Sequence, residues 1–208
     1  MAFFHGMATI TALVTGPFEE NCYIIRQDPD IVVIDPGASA RRIRATIEGM
    51  IPSHLAAIML THGHFDHIGA VDQLYGHYHC PIYACADDAD ILADAEKNKY
   101  YEQTATVNSP IRWLQGDSLD IGGMKFKVFY TPGHTPGSVM YQLDGMLFTG
   151  DTLFKDSVGR TDLYGGSDTH LKQSLAMISR MDPGLTVYPG HGPYTSIWQE
   201  LKNNVYLH

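Results

Sequence analysis

Four side chains able to ligate a metal crowd into residues 62–67, His62-Gly63-His64-Phe65-Asp66-His67, directly after the short apolar run 55–60 (LAAIML). Any fold for this chain must carry that cluster at the end of a strand buried on both faces, because so short an apolar run bounded by polar residues reads as an interior strand. In extended backbone, side chains two apart face the same way, so His62 and His64 can hold one ion together. Asp66 and His67 are adjacent and diverge, which places them better for a second ion beside the first.

Three more segments offer a ligand framed by glycine or proline: Pro132-Gly133-His134, Gly150-Asp151 and Pro189-Gly190-His191. Each follows an apolar strand pattern (KVFY, MLFT, LTVY), so each ligand sits where a strand gives way to a loop, a placement that preorganises a site. The remaining histidines, His5, His54, His77, His79, His170 and His208, read as surface or satisfied core residues. His77 and His79 have ligand-like spacing but lie at a helix end with no carboxylate partner nearby. A lone histidine is weak testimony; a histidine-rich run joined to three glycine-framed ligands at strand ends is strong.

The rest of the pattern supplies a scaffold. Strands are predicted over 8–14, 22–26, 31–34, 55–60, 81–84, 124–130, 138–143, 146–149 and 185–188. Helices are predicted over 39–50 with Ser39 as cap, 68–78, 168–181 and 195–203. Residues 86–112 are polar and tyrosine-bearing, either a solvated helix and loop or a lid and substrate wall. With 208 residues and no repeat or linker, the expectation is one domain over 1–208. Strands in runs with helices in both halves imply two sheets with helices outside.

Composition narrows the partners. A formal net charge of -9 weighs against a nucleic-acid surface or an anionic membrane, but not against a small anionic substrate at a metal site. Three cysteines, Cys22, Cys80 and Cys85, form no CxxC pair and read as buried free thiols. No window approaches the ~18 consecutive apolar residues that span a bilayer, and the first sixteen residues lack the marks of a signal peptide. The expected setting is cytoplasmic; the oligomeric state is not legible.

The segment THGHFDH at 61–67 resembles the hallmark of the metallo-β-lactamase superfamily. ENCYII, VVIDPG, TPGHTPGS, LFTGDTLF, VGRTDLYGG and YPGHGPYT resemble its glyoxalase-II-like (hydroxyacylglutathione hydrolase-like) branch. The resemblance implies an α/β fold, the four-layer αββα sandwich of two mixed sheets. It implies one metal on His62, His64 and His134, a second on Asp66, His67 and His191, and Asp151 bridging both. Several true β-lactamases of the superfamily have cysteine or no ligand at that bridging position, so antibiotic hydrolysis is disfavoured. Two-domain glyoxalase II enzymes add a helical domain that helps bind glutathione, whereas only 17 residues follow His191 here; the likeness is to short, single-domain relatives.

An all-nitrogen and oxygen donor set suits two divalent ions per chain, zinc first, with iron or manganese as alternatives. The expected reaction is hydrolysis of an acyl thioester such as S-lactoylglutathione by a metal-bridging hydroxide that Asp66 orients. A thiolate leaving group, with a pKa of about 8.5, needs little protonation on departure. The alternative is a persulfide dioxygenase with a single iron on His62, His134 and Asp151, a family that shares the GRTD-like stretch 159–162. Asp35 reads either as a partner that orients a ligand or as a turn former before Pro36-Gly37. Arg160 falls where relatives place a basic substrate contact, and Tyr194 could donate to a substrate oxygen.

Overall fold

Each half of the chain builds its own sheet. The computed structural model describes residues 7–208, so His5 lies outside the described residues. Strands β1 (Thr9–Thr15), β2 (Glu20–Gln27), β3 (Asp30–Ile34), β4 (His54–Met59), β5 (Ile82–Ala84) and β6 (Ile111–Trp113) lie side by side in chain order. The first three are antiparallel and the last four parallel. The second half contributes β7 (Ser118–Ile121), β8 (Met124–Tyr130), β9 (Val139–Leu143) and β10 (Met146–Gly150), then a separate hairpin of β11 (Leu153–Phe154) and β12 (Ser157–Val158). With β13 (Thr186–Pro189) and β14 (Thr195–Ser196), its sheet runs β14-β13-β10-β9-β8-β7, and β10 pairs parallel with β13.

Period-two alternation assigns the faces. On β2 and β3, Tyr23, Ile25, Val32 and Ile34 point at the other sheet and meet Phe126, Val128, Tyr141 and Phe148 in the central core. Their neighbours Cys22, Ile24, Ile31 and Val33 point outward against Ile43 and Ile47 of helix α1 (Ala40–Glu48). Helices α2 (Phe65–Ile68), α3 (Val71–Tyr78) and α4 (Ala89–Ala93) belong to the same half, and α3 sends Val71 and Leu74 into that outer core. On the far side α5 (Asp168–Ile178) and α6 (Ile197–Asn203) cover the second sheet through Leu171, Leu175, Ile178 and Ile197. The result is the expected αββα sandwich, with each fully buried large aliphatic contributing about 1.5–3 kcal/mol. No helix among the described residues is long and apolar enough to cross a membrane.

Several helix boundaries differ from expectation for identifiable reasons. The helix expected over 68–78 is broken into α2 and α3, because the chain bends to meet the Pro36-Gly37 turn. Ala70 N–H donates to Pro36 O at 2.9 Å, and a Cβ on Gly69 would lie 2.4 Å from Gly37 O. Ser39 does not cap α1 with its side chain; it sits at φ 60°, and its backbone carbonyl takes the N–H groups of Arg42 and Ile43 instead. Helix α5 is capped by Ser167, whose side chain accepts from His170 N, and it ends at Ile178 rather than at 181. Thr195 belongs to β14, and α6 begins after Ser196, which accepts from Gln199 N.

Candidate metal centre

The loops after β3, β4, β10 and β13 emerge along one edge of the sandwich, joined there by the turn between β8 and β9. Along that edge lie all seven histidine and aspartate positions singled out from the sequence. His62, His64 and His134 offer ligand atoms within 4.8 Å of one another, and so do Asp66, His67 and His191. Asp151 stands between the groups, with Oδ1 3.3 Å from His67 Nε2 and Oδ2 3.5 Å from His134 Nε2 and 3.6 Å from His191 Nε2. The crowding requires glycine at 190, where a Cβ would fall 2.2 Å from Asp151 Oδ1 and 2.7 Å from His67 Cε1.

Partners behind the rings assign their tautomers. His134 Nδ1 donates to Arg160 O at 2.7 Å and His191 Nδ1 to Phe18 O at 3.0 Å. His67 Nδ1 donates to Asp35 Oδ2 at 3.0 Å. Thr61 spends its hydroxyl hydrogen on the same Asp35 oxygen, so at 3.0 Å it accepts from His62 Nδ1. Each of these rings, when neutral, therefore turns a bare Nε2 inward. His134 Nε2 lies 2.8 Å from His64 Nδ1, and His67 Nε2 lies 3.3 Å from His191 Nε2. His62 Nε2 is buried with no hydrogen-bond partner at all. Converging nitrogen lone pairs and an orphaned buried nitrogen are a poor arrangement for a bare protein and a good one for cations, so the residues present fit divalent metal.

The electrostatics divide the two groups, holding one neutral and drawing positive charge to the other. Burial, followed by the neighbouring His67, pushes His62 well below the ordinary imidazole range. Burial and His134 take His64 down to about 3. Both rings are thus held neutral, the state that ligates. For His67, burial lowers the pKa but the Asp151 and Asp66 carboxylates outweigh it and raise it well above normal. For His191, burial is likewise outweighed, first by the hydrogen bond to Asp66. Burial alone would raise Asp151 and Asp66, yet the His67 charge outweighs it and holds both below the usual carboxylate range.

A cavity of about 540 Å³ opens onto this cluster. Phe18 packs edge-on against Phe65 at 5.2 Å and Tyr100 at 5.9 Å, and Leu163 and Tyr164 complete an apolar wall. Arg160 reaches the cavity, but its guanidinium is engaged by both Asp162 oxygens at 2.6 and 2.8 Å and donates to Tyr100 Oη at 3.0 Å. Tyr194 is 72% exposed, lies beside Tyr188 at 6.5 Å, and stands outside the residues that line this cavity. The chain turns away at Gly192, φ 75°, so nearness to His191 in sequence does not carry Tyr194 inward.

Asp35, ambiguous in the sequence, is 2% exposed and holds His67. Two residues had no sequence signal. Asn98 donates to Gly63 O at 2.7 Å and accepts from Phe65 N at 2.8 Å, bracing the peptide on either side of His64. Asp88 accepts from Gly63 N at 2.8 Å. Both come from the 86–112 stretch, which also places Lys97, Lys99 and Tyr100 along the cavity. Of the histidines set aside, His54 faces Asp30 at 2.7 Å and His77 faces Glu48 at 3.4 Å, both at the surface.

Comparison with known proteins follows the same outline. Residues 15–191 match the model of the metallo-beta-lactamase superfamily. The chain is 35% identical to the probable metallo-hydrolase YqgX of Bacillus subtilis, with 92% of this chain and 94% of that protein covered. It is 32% identical to the hydroxyacylglutathione hydrolase GloC of Haemophilus influenzae, covering 91% and 93%. Among solved structures, the BLEG-1 B3 metallo-beta-lactamase superposes with a TM-score of 0.90 at 37% identity, covering 96% of this chain and 99% of that one. TTHA1623 in a di-iron-bound form gives 0.85 at 34% identity, covering 94% and 99%.

Proposed function

The chain belongs to the metallo-beta-lactamase superfamily of metallo-hydrolases, and from that footing we propose that it hydrolyses acyl thioesters of the S-lactoylglutathione kind. His62, His64 and His134 would hold one divalent ion, and Asp66, His67 and His191 a second, with Asp151 touching both; zinc is the first choice and iron the next. When bound, such a pair supplies Lewis-acid polarisation of a carbonyl and a water acidic enough to ionise near neutral pH. The chain would act as a single domain, its partner a small thioester rather than nucleic acid or membrane.

One observation carries the thioester reading. The carboxylates on the cavity floor, Asp66 and Asp151, both face histidine nitrogens, Asp66 Oδ2 at 3.3 Å from His191 Nε2 and Asp151 Oδ1 at 3.3 Å from His67 Nε2, so both are placed as ligands and acceptors rather than as proton donors to a leaving group. A leaving alkoxide or amine would need that proton, whereas a thiolate departs without it. Asp66, with Oδ2 3.3 Å from His191 Nε2, accepts a hydrogen from the attacking water and aims its oxygen at the acyl carbon. The walls of Phe18, Phe65 and Tyr100 exclude bulk water from the acyl group. The relative named hydroxyacylglutathione hydrolase supports the same substrate class.

The likeness to BLEG-1 favours a second reading, cyclic amide hydrolysis at the same centre. Purified, metal-quantified protein incubated with S-lactoylglutathione decides between them, with Asp66→Ala as control. Thioester loss that vanishes in the variant upholds the proposal. A protein holding two metals that leaves the thioester intact sinks it, and hydrolysis of a chromogenic β-lactam by that protein would install the second reading. One iron per chain with persulfide-dependent oxygen uptake would point instead to the dioxygenase.

A further inference from the structure

The three nitrogens of the His62, His64 and His134 group come from different sheets. His62 and His64 follow β4, while His134 lies in the turn between β8 and β9. Their mutual placement therefore depends on whatever joins those two loops, and one side chain does so directly. Asp88, 1% exposed, accepts from Gly63 N–H through Oδ2 at 2.8 Å and from Thr135 Oγ1 through the same oxygen at 2.8 Å. Its Oδ1 accepts from Gly137 N–H at 2.6 Å. Gly63 is the residue between the two histidines of one loop, and Thr135 follows the histidine of the other.

We propose that Asp88 is a positioning residue for this three-histidine group, a carboxylate bracket that fixes the separation of the two ligand loops before any ion arrives. Two further features mark it as a built contact. Gly137 leaves no room for a side chain, since a Cβ there would fall 2.6 Å from Asp88 N. The carbonyl of Gly63 is held from the opposite side by Asn98 at 2.7 Å, so that peptide unit is gripped at both its polar atoms. Only a carboxylate accepts from all three donors at once; an amide would turn an N–H toward at least one of them. Asp88 does not approach the Asp66, His67 and His191 group through any hydrogen bond, so its removal acts on one group and spares the other.

The inference rests on reading these histidines as metal ligands, and zinc itself is the probe. Zinc titrated into metal-free wild type and Asp88→Asn against a competing chromogenic chelator gives stoichiometry and affinity. Nitrogen-15 spectra of the histidine rings report which imidazoles coordinate. The expected outcome is about 10–100-fold weaker binding of one zinc equivalent, with ring shifts lost at His62, His64 and His134 and retained at His67 and His191. In the metal-free variant the Gly63 and Gly137 amides should exchange faster with solvent. Equal weakening of both equivalents, or none, overturns the proposal while leaving the metal reading intact. Wild type that takes up no zinc overturns both. Should Asp88→Asn fail to fold, Thr135→Val removes one donor and should weaken the same equivalent by about three- to tenfold; an unchanged affinity there overturns the bracket.

Discussion

A single oxygen of Asp35 accepts both the Nδ1 hydrogen of His67, at 3.0 Å, and the hydroxyl of Thr61, at 2.5 Å. Through Thr61 it also reaches His62 Nδ1, so one carboxylate orients a ring in each candidate metal group. Asp35 stands at φ 49°, a conformation that asparagine tolerates. Asp35→Asn therefore keeps the backbone and, with its remaining oxygen held by Thr61 N–H, turns an amide N–H toward His67 and the Thr61 hydroxyl in place of the shared acceptor. Zinc affinity should fall about 10–100-fold, measured by competition with a chelator, and for both equivalents rather than one. Selective loss at a single group would contradict the shared role.

Arg160 is shared between Asp162 and Tyr100 and faces the cavity. Asp162 draws the guanidinium away, so its charge on a substrate is partly cancelled. With S-lactoylglutathione, Arg160→Ala should raise KM several-fold, about threefold to tenfold, with kcat nearly unchanged, the sign of a contact made equally in ground and transition states. Asp162→Asn should lower KM. Steady-state kinetics on the two variants check the pair; a KM that moves the same way in both would refute the arrangement.

Asp72 anchors the far end of the 86–112 stretch. Its carboxylate takes the backbone N–H groups of Asn108 and Ser109 and both of their side chains, at 2.6–3.1 Å. Burial raises its pKa, but these hydrogen bonds outweigh burial and hold it below the usual carboxylate value of 3.8. A depressed folded pKa contributes stability that is complete above the unfolded value and lost as pH falls through the folded one. Because the group is only half-buried, solvent screening limits the contribution to about 1 kcal/mol. Urea unfolding should show Asp72→Asn less stable by that amount at pH 7, with the gap to wild type closing as pH drops below about 4. A gap independent of pH would mean that charge plays no part.

Tyr141, buried in the central core, donates its hydroxyl to Leu60 O at 2.8 Å, tying the second sheet to the strand end that precedes His62. Tyr141→Phe keeps the ring and leaves that carbonyl unpaired in an apolar setting. The expected loss is about 1–3 kcal/mol, read as a lower urea midpoint with unchanged slope.

The ligand run and the strands β2 and β3 were readable because both are local: a few neighbouring residues decide the strand, and spacing within it decides which way a side chain points. Asp88 and Asn98 were not, since their roles come from backbone groups far along the chain, and an aspartate or asparagine in a polar stretch looks like solvated surface. The break at Gly69 was invisible for the same reason, being imposed by Pro36 and Gly37. Tyr194 shows the converse, since three residues of separation from His191 do not bring it to the cavity once Gly192 redirects the chain. Arg160 lines the cavity, and its bidentate hold on Asp162 is a fact of side-chain geometry that no spacing encodes.

Two of the candidate metal groups draw on both sheets, His62 and His64 with His134, and Asp66 and His67 with His191. An ion seated there would act as a rivet between two halves that the backbone itself joins only along 114–117, where Gly116 has nothing within 4 Å of its would-be side chain. Chelation should then slacken the seam before it melts either sheet. Limited proteolysis would register this as first cuts near Gly116 in stripped protein, while the metal-loaded form stays whole and a nicked chain remains assembled for as long as its ions are in place.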